Sequence, residues 1–142
     1  MIPPEHMLVT GISQFLLESR PDVFTSWPVL TMHEWIRHHL RQRAVATIAV
    51  DGRIVAVGIG WRGHMGDLDD RWSVWDDTGD CFYFDQLHSR DASGLAALIT
   101  MFESRVPDWQ RIKLIADRRG RRVHLHPRIL DRLKSQALAK NQ

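Results

Sequence analysis

Residues 81–117 read CFYFDQLHSRDASGLAALITMFESRVPDWQRIKLIAD. The first part alternates, with Phe82, Phe84 and Leu87 set against Tyr83, Asp85 and Gln86. That pattern predicts a strand with one face on a core. Leu95, Leu98, Ile99, Phe102 and Val106 then recur at steps of three and four, as on a helix over 92–106 that Pro107 closes. Ile112, Leu114 and Ala116, alternating with Lys113 and Ile115, predict a second strand. Strand, helix and strand with short joints imply a right-handed crossover between roughly parallel strands. The first joint, Arg90 to Ala96, includes Gly94 and Ala96. A helix start with such small side chains leaves backbone N–H groups open to an anion.

Outward from this unit, Met7, Leu8, Ile12, Phe15, Leu16 and Leu17 predict a helix within 5–19, stopped at Arg20-Pro21-Asp22. Ser26-Trp27-Pro28-Val29 reads as a loop. Thr31 and Glu34 form a capping-box pattern. The helix it opens would turn Met32, Trp35, Ile36 and Leu40 inward and Arg37, His38, Arg41 and Arg43 outward. Two apolar runs, 44–50 and 54–61, flank Asp51-Gly52, a strong hairpin signal. Residues 62–78 are polar, with a helical turn expected over 68–75 and Trp72 and Trp75 as its anchors. A basic turn at Arg118-Arg119-Gly120-Arg121 precedes a short strand with Val123 and Leu125. A last helix begins at Pro127, with Ile129, Leu130 and Leu133 on its apolar face. The order is helix, helix, three strands, helix, two strands, helix. It predicts one α/β (α+β) domain over 1–142, a mixed sheet with helices on its faces.

The chain has 142 residues, 44% of them apolar and 25% charged, enough for one domain with a real core. Cys81 is the single cysteine, so no internal disulfide forms and a reducing, cytoplasmic setting is expected. No apolar run approaches the ~20 residues of a membrane span. The start, MIPPEHMLVTG, lacks the pattern of a signal peptide. The net charge of +2 is unevenly spread: residues 111–142 hold ten Lys or Arg against two Asp. Acid gathers at Asp67, Asp69, Asp70, Asp76, Asp77, Asp80 and Asp85. One end can attract anions and the middle cations. The basic tract has no interleaved aromatics for stacking bases, which argues against nucleic acid. His38 and His39 are adjacent and diverge on a helix, while His124 and His126 share a strand face and His33 is distant. With no His-Glu-x-x-His and no cysteine pair, no metal site is expected.

The element order resembles the fold of the Gcn5-related N-acetyltransferases without their usual first strand. Arg90, Gly94 and Ala96 resemble that family's Arg/Gln-x-x-Gly-x-Gly/Ala loop, with one extra residue between Arg and Gly. A more particular resemblance is to the toxin-activating lysine acyltransferases, a branch with this fold. Trp27-Pro28-Val29, the Asp51-Gly52 hairpin, Thr78-Gly79-Asp80, Ser93-Gly94-Leu95-Ala96 and Val106-Pro107-Asp108 occur in that family's order, across roughly residues 12–125. The resemblance implies transfer of an acyl group from acyl-CoA, or from the phosphopantetheine of acyl carrier protein, to an amine such as a lysine side chain. It implies a carrier loop of Arg90, Ser93, Gly94, Leu95 and Ala96, a catalytic Asp at Asp80, and no metal. A homodimer is compatible with it. The family's catalytic His falls at Phe24, which cannot take a proton.

An amine must lose a proton before it attacks a thioester, so a base near the central strand is required. Asp80, Asp85 and His88 are the candidates. His88 has the ordinary pKa nearest neutrality, ~6.5, and stands at the strand end beside the presumed loop. The plain alternatives are a surface His, a capping Asp80, an outward-facing Asp85, and a helix start capped by Asp91 or Ser93 with no ligand. Two readings follow. One is an N-acyltransferase using Asp80 or His88. The other, motivated by Phe24, is a catalytically inactive binding or structural protein of the same fold, of the kind found in phage genomes.

Overall fold

A computed structural model of the chain describes residues 4–118, 121–126, 128, 130–133 and 135. Helices α1 (Glu5–Ser19), α2 (Pro21–Phe24) and α3 (Val29–Arg41) lead into strands β1 (Val45–Val50), β2 (Arg53–Gly63) and β3 (Cys81–Ser89). Helix α4 (Ala92–Ser104) then crosses to β4 (Lys113–Arg118) and β5 (Arg121–Leu125). The five strands form one sheet whose spatial order is the chain order. β3 and β4 are parallel across the α4 crossover, and the other neighbours are antiparallel. This is the mixed α/β (α+β) sheet that the sequence predicts, and it is consistent with the acyltransferase-type layout. Among the described residues no helix is long and apolar enough to cross a membrane.

The Asp51-Gly52 hairpin forms as expected. Both turn residues have positive φ, 52° and 78°. That is the geometry whose twist matches the flanking strands, and glycine takes the second position without strain.

Two cores sandwich the sheet. On one face Ile12, Leu16, Trp35 and Ile36 meet Val57, Ile59, Trp61 and Tyr83. On the other, Leu98, Ile99 and Phe102 of α4 meet Phe82, Phe84, Leu114 and Trp109. The first half of β3 is therefore buried on both faces, where its alternation predicts one. Helices cover both sides of a sheet that carries a parallel crossover, and its central strand meets apolar neighbours above and below. Trp109 belongs to this core.

Three other expectations change. The capping box does not form: α3 starts at Val29, and the Pro28 carbonyl already accepts the Met32 amide at 3.0 Å. Proline has no N–H to leave unsatisfied at a helix start, and its φ of −57° leads into the helix, so Thr31 and Glu34 fall inside it. The helical turn in the acidic segment is a single 3-10 turn at Met65–Asp67, before rather than over 68–75. Trp75 anchors the segment by packing edge-on to Phe82 at 5.6 Å, but Trp72 stays 41% exposed. At the far end, residues 130–133 are helical and Leu130 is buried. Pro127, Ile129, Arg119 and Gly120, where the last helix start and the basic turn were expected, lie outside the described residues.

Candidate functional site

The β3–β4 ladder is short. It pairs Cys81 to Phe84 with Lys113 to Ala116 and then stops. β3 continues to Ser89 along β2, and β4 continues to Arg118 along β5. A β-bulge accompanies the split: Ile59 faces Gln86 and Gly60 faces Phe84, so Asp85 is the extra residue. An extra residue bends the strand and re-aims a side chain. Here the parted strands are flanked by two cavities. On the α4 face a cavity of about 260 Å³ is walled by Leu87, Leu95, Ile99, Leu125, Leu130 and Leu133. On the α1–α2 face one of about 300 Å³ is walled by Asp69, Arg71, Tyr83 and Arg122. Arg20, Asp85, Gln86 and Asp117 line both.

The two cavities differ in chemistry: the first is mostly aliphatic, the second holds a charge network. Tyr83 donates its hydroxyl hydrogen to Asp117 across the end of the ladder. Burial, reinforced by that bond, raises the tyrosine's pKa further above its ordinary value. Arg122 pairs with Asp69, sits 4.0 Å from Asp117, and lies 5.6 Å over the Tyr83 ring. The Asp85 side chain is only 6% exposed, and its nearest guanidinium, Arg71, is 3.5 Å away. Burial pushes the Asp85 carboxyl above its ordinary pKa; Arg71 opposes this and Asp117 adds to it. In the first cavity, His88 Nε2 is 2.7 Å from Gln86 Oε1. Burial and then the charge of Arg20 hold the His88 pKa below its ordinary value. A lowered imidazole pKa keeps the ring neutral at pH 7, the form that can accept a proton.

Of the site residues read from the sequence, His88 and Leu95 line the cleft. Asp80 does not: it precedes the other end of β3, about 26 Å from His88 at the rise of a strand. There its carboxylate lies 3.9 Å from His64 Nδ1, and its carbonyl accepts the Lys113 amide. Arg90 is exposed and lines a groove between α1 and the hairpin instead. Ser93 donates its hydroxyl hydrogen to Asp91 at 2.7 Å, and the same carboxylate accepts the Gly94 amide at 2.8 Å. Gly94 is buried, and a Cβ there would overlap the Ser89 hydroxyl and lie 3.4 Å from Ala56 Cβ. Glycine thus serves the packing of α4 on the sheet, where open approach to a ligand was expected. Ala96 is buried too. Phe24 is 1% exposed and packs edge-on to Trp27 at 5.5 Å. Cys81 is fully buried, and burial pushes its thiol up to about 11.

Sequence reasoning missed Tyr83, Asp117 and Arg71 as members of a site, and it missed what holds Arg71. Trp35, His38 and His39 on one stripe of α3, with Gln42 just past its end, clasp the acidic segment by its backbone. Trp35 Nε1 donates to the Arg71 carbonyl at 2.8 Å and His39 Nε2 bonds the same oxygen at 2.7 Å. His38 Nε2 and Gln42 Nε2 bond the Ser73 carbonyl at 3.0 and 2.8 Å. The guanidinium of Arg71 then lies over the Trp27 and Trp35 rings at 4.9 and 5.3 Å. The available signal was spacing: 35, 38, 39 and 42 are one helix face, and polar groups on an inward stripe need partners.

No family model matches this chain, and no curated protein matches it.

Proposed function

We propose that the protein transfers an acyl group from a thioester, acyl-CoA or acyl carrier protein, to an amine. The observation that carries this reading is the parting of β3 from β4 beyond Phe84 and Ala116, with an aliphatic cavity on one face and a charged one on the other. A thioester seated among Leu87, Leu95 and Ile99 would present its carbonyl to the unpaired edge of β3. The amine would approach from the charged face. Its nitrogen bonds the carbonyl carbon, the C–S bond breaks, and sulfur leaves as the thiol with a proton. His88, kept neutral by burial, and Asp85 are the groups at the split that can take the ammonium proton. With Cys81 buried, transfer is direct, without an acyl-enzyme. The carrier loop of Arg90, Ser93, Gly94, Leu95 and Ala96 supports the reading less than the cleft does. Asp91 already caps the Gly94 amide, and an anion there meets that carboxylate. CoA thioesters are cytoplasmic substrates, which agrees with the single reduced cysteine.

Isothermal calorimetry with acetyl-CoA, octanoyl-CoA and acyl carrier protein tests this. The aliphatic walls predict tighter binding of octanoyl-CoA than acetyl-CoA, since each buried methylene is worth about 0.8 kcal/mol. Folded protein that gives no heat with any of the three removes the reading.

Phe24 favours a second reading, a binding or structural subunit of this fold without turnover, such as phage genomes encode. Its ring is locked in an aromatic cluster with Trp27 and Trp35. Binding of octanoyl-CoA without thiol release, in the presence of a broad set of amines, identifies that case.

A further inference from the structure

The charged cavity points to one class of acceptor. Asp85 is the least compensated of its carboxylates. Its side chain is 6% exposed; the Gln86 side chain bonds it, yet its nearest guanidinium nitrogen stands at 3.5 Å, the outer limit of a hydrogen bond. A buried carboxylate held so loosely gains from a second cation that donates to it. An alkylammonium alone would answer Asp85 but would also meet three guanidiniums, of which Arg20 already pairs with Asp22. Arg71 and Arg122 both line the cavity, each with 34% of its side chain exposed. Each guanidinium has five N–H donors, and a fork of them fits a carboxylate. The Arg71 plane is held by two indole rings, and Arg122 is propped between Asp69 and the Tyr83 ring. The volume, about 300 Å³, is at the bottom of the range for small-molecule sites and suits a molecule of amino-acid size.

We propose that this cavity is a binding site for a free α-amino acid, its ammonium on Asp85 and its carboxylate on Arg122 or Arg71. Its role as acyl acceptor rests on the acyl-transfer reading; the binding site does not. As acceptor, the amino nitrogen faces the split at Asp85 and Gln86, which both cavities share. The product is an N-acyl amino acid.

The test is calorimetry of the full chain, without thioester, against the twenty free L-amino acids, their methyl esters, butylamine and cadaverine. At least one free amino acid is expected to bind tenfold or more tighter than its methyl ester and than either amine. Arg122→Ala or Arg71→Ala should erase that preference while a thermal melt still shows a cooperative fold. Asp85→Asn should weaken the free acid and the ester alike. Esters and amines that bind as tightly as the free acids overturn the proposal, as does an absence of binding by all twenty. Octanoyl-CoA is titrated separately. If it gives no heat while an amino acid binds, acyl transfer falls and the amino-acid site stands. If it binds while no amino acid does, the reverse holds.

Discussion

From Cys81 to Phe84, β3 is hydrogen-bonded to β2 on one edge and to β4 on the other, and all its side chains are buried. From Asp85 to Ser89 it keeps, among the described residues, only β2, and its side chains are Asp, Gln, Leu, His and Ser. The first half is fixed by two cores and two ladders. The second is held on one side and leaves its other edge to the cleft. Stability and site thus occupy different halves of one strand, and the bulge at Asp85 is the border. A strand that has to build the fold can be apolar throughout; one that has to meet a polar ligand needs the first half to hold it in place.

Substitution in the first half should cost most. Phe82 packs against Phe84, Phe102 and Trp109 with ring centres 5.0 to 5.3 Å apart. Phe82→Ala is expected to lose about 3–5 kcal/mol in urea unfolding. A loss under about 1 kcal/mol would erase the distinction between the halves, since that is the scale of an ordinary surface change.

The core on the other face of that half includes His39, which stacks flat on Trp61 at 4.9 Å. Burial lowers its pKa to about 4. The unfolded chain takes up the proton first as pH falls below ~6.5, so the folded state loses stability between pH 6.5 and 4. The full loss is roughly 3 kcal/mol by linkage. His39→Asn, less stable at pH 7, should show a shallower slope across that window. Equal slopes would mean that His39 charges freely in the fold.

Next in size is Gly94, which bears on the second half through Ser89. Gly94→Ala should cost about 1–3 kcal/mol by overpacking, and Ser89→Ala in the same chain should recover part of it. A neutral Gly94→Ala would return glycine to the role of keeping a ligand approach open.

The smallest effect concerns Asp85. Its folded pKa is raised, so the native state binds the proton more tightly than the unfolded one. The cost of burying the charge is absent below the ordinary carboxylate pKa and accrues as pH rises through the folded value. Unfolding curves of Asp85→Asn against wild type should therefore diverge in favour of the variant as pH climbs from about 4. Parallel curves would put Asp85 in a solvated setting and blur the border between the halves.

Much of this was legible in residues 81–117. Phe82, Phe84 and Leu87 do share the α4 face, and Tyr83, Asp85 and Gln86 do line the opposite cavity. The two adjacent polar residues interrupt strict alternation, and that interruption is the bulge. The burial of Tyr83 and Cys81 was not legible, because alternation says which residues share a face and not whether a helix covers it. The carrier loop is ambiguous for a related reason. Gly94 and Asp91 carry the same letters whether they serve an anion or a helix cap, and only the position of Ser89 separates the two. The charged cavity draws on Arg71, Asp85, Asp117 and Arg122 from three parts of the chain, and no local pattern joins them.

Because the spatial order of the strands is their chain order, each new strand meets a partner laid down just before it. The β1–β2 and β4–β5 closures take only a few residues, while β2 first meets β3 across 18, from Gly63 to Cys81. Pairing Cys81 with Lys113 spans 32 residues and waits for α4 to form and swing across. Loop-closure entropy grows only slowly with length, by about 0.6 kcal/mol per doubling, so the crossover costs little more than the β2–β3 closure before it. During synthesis the α1–β3 portion can assemble before β4 leaves the ribosome, and the cleft is the last part of the sheet to exist.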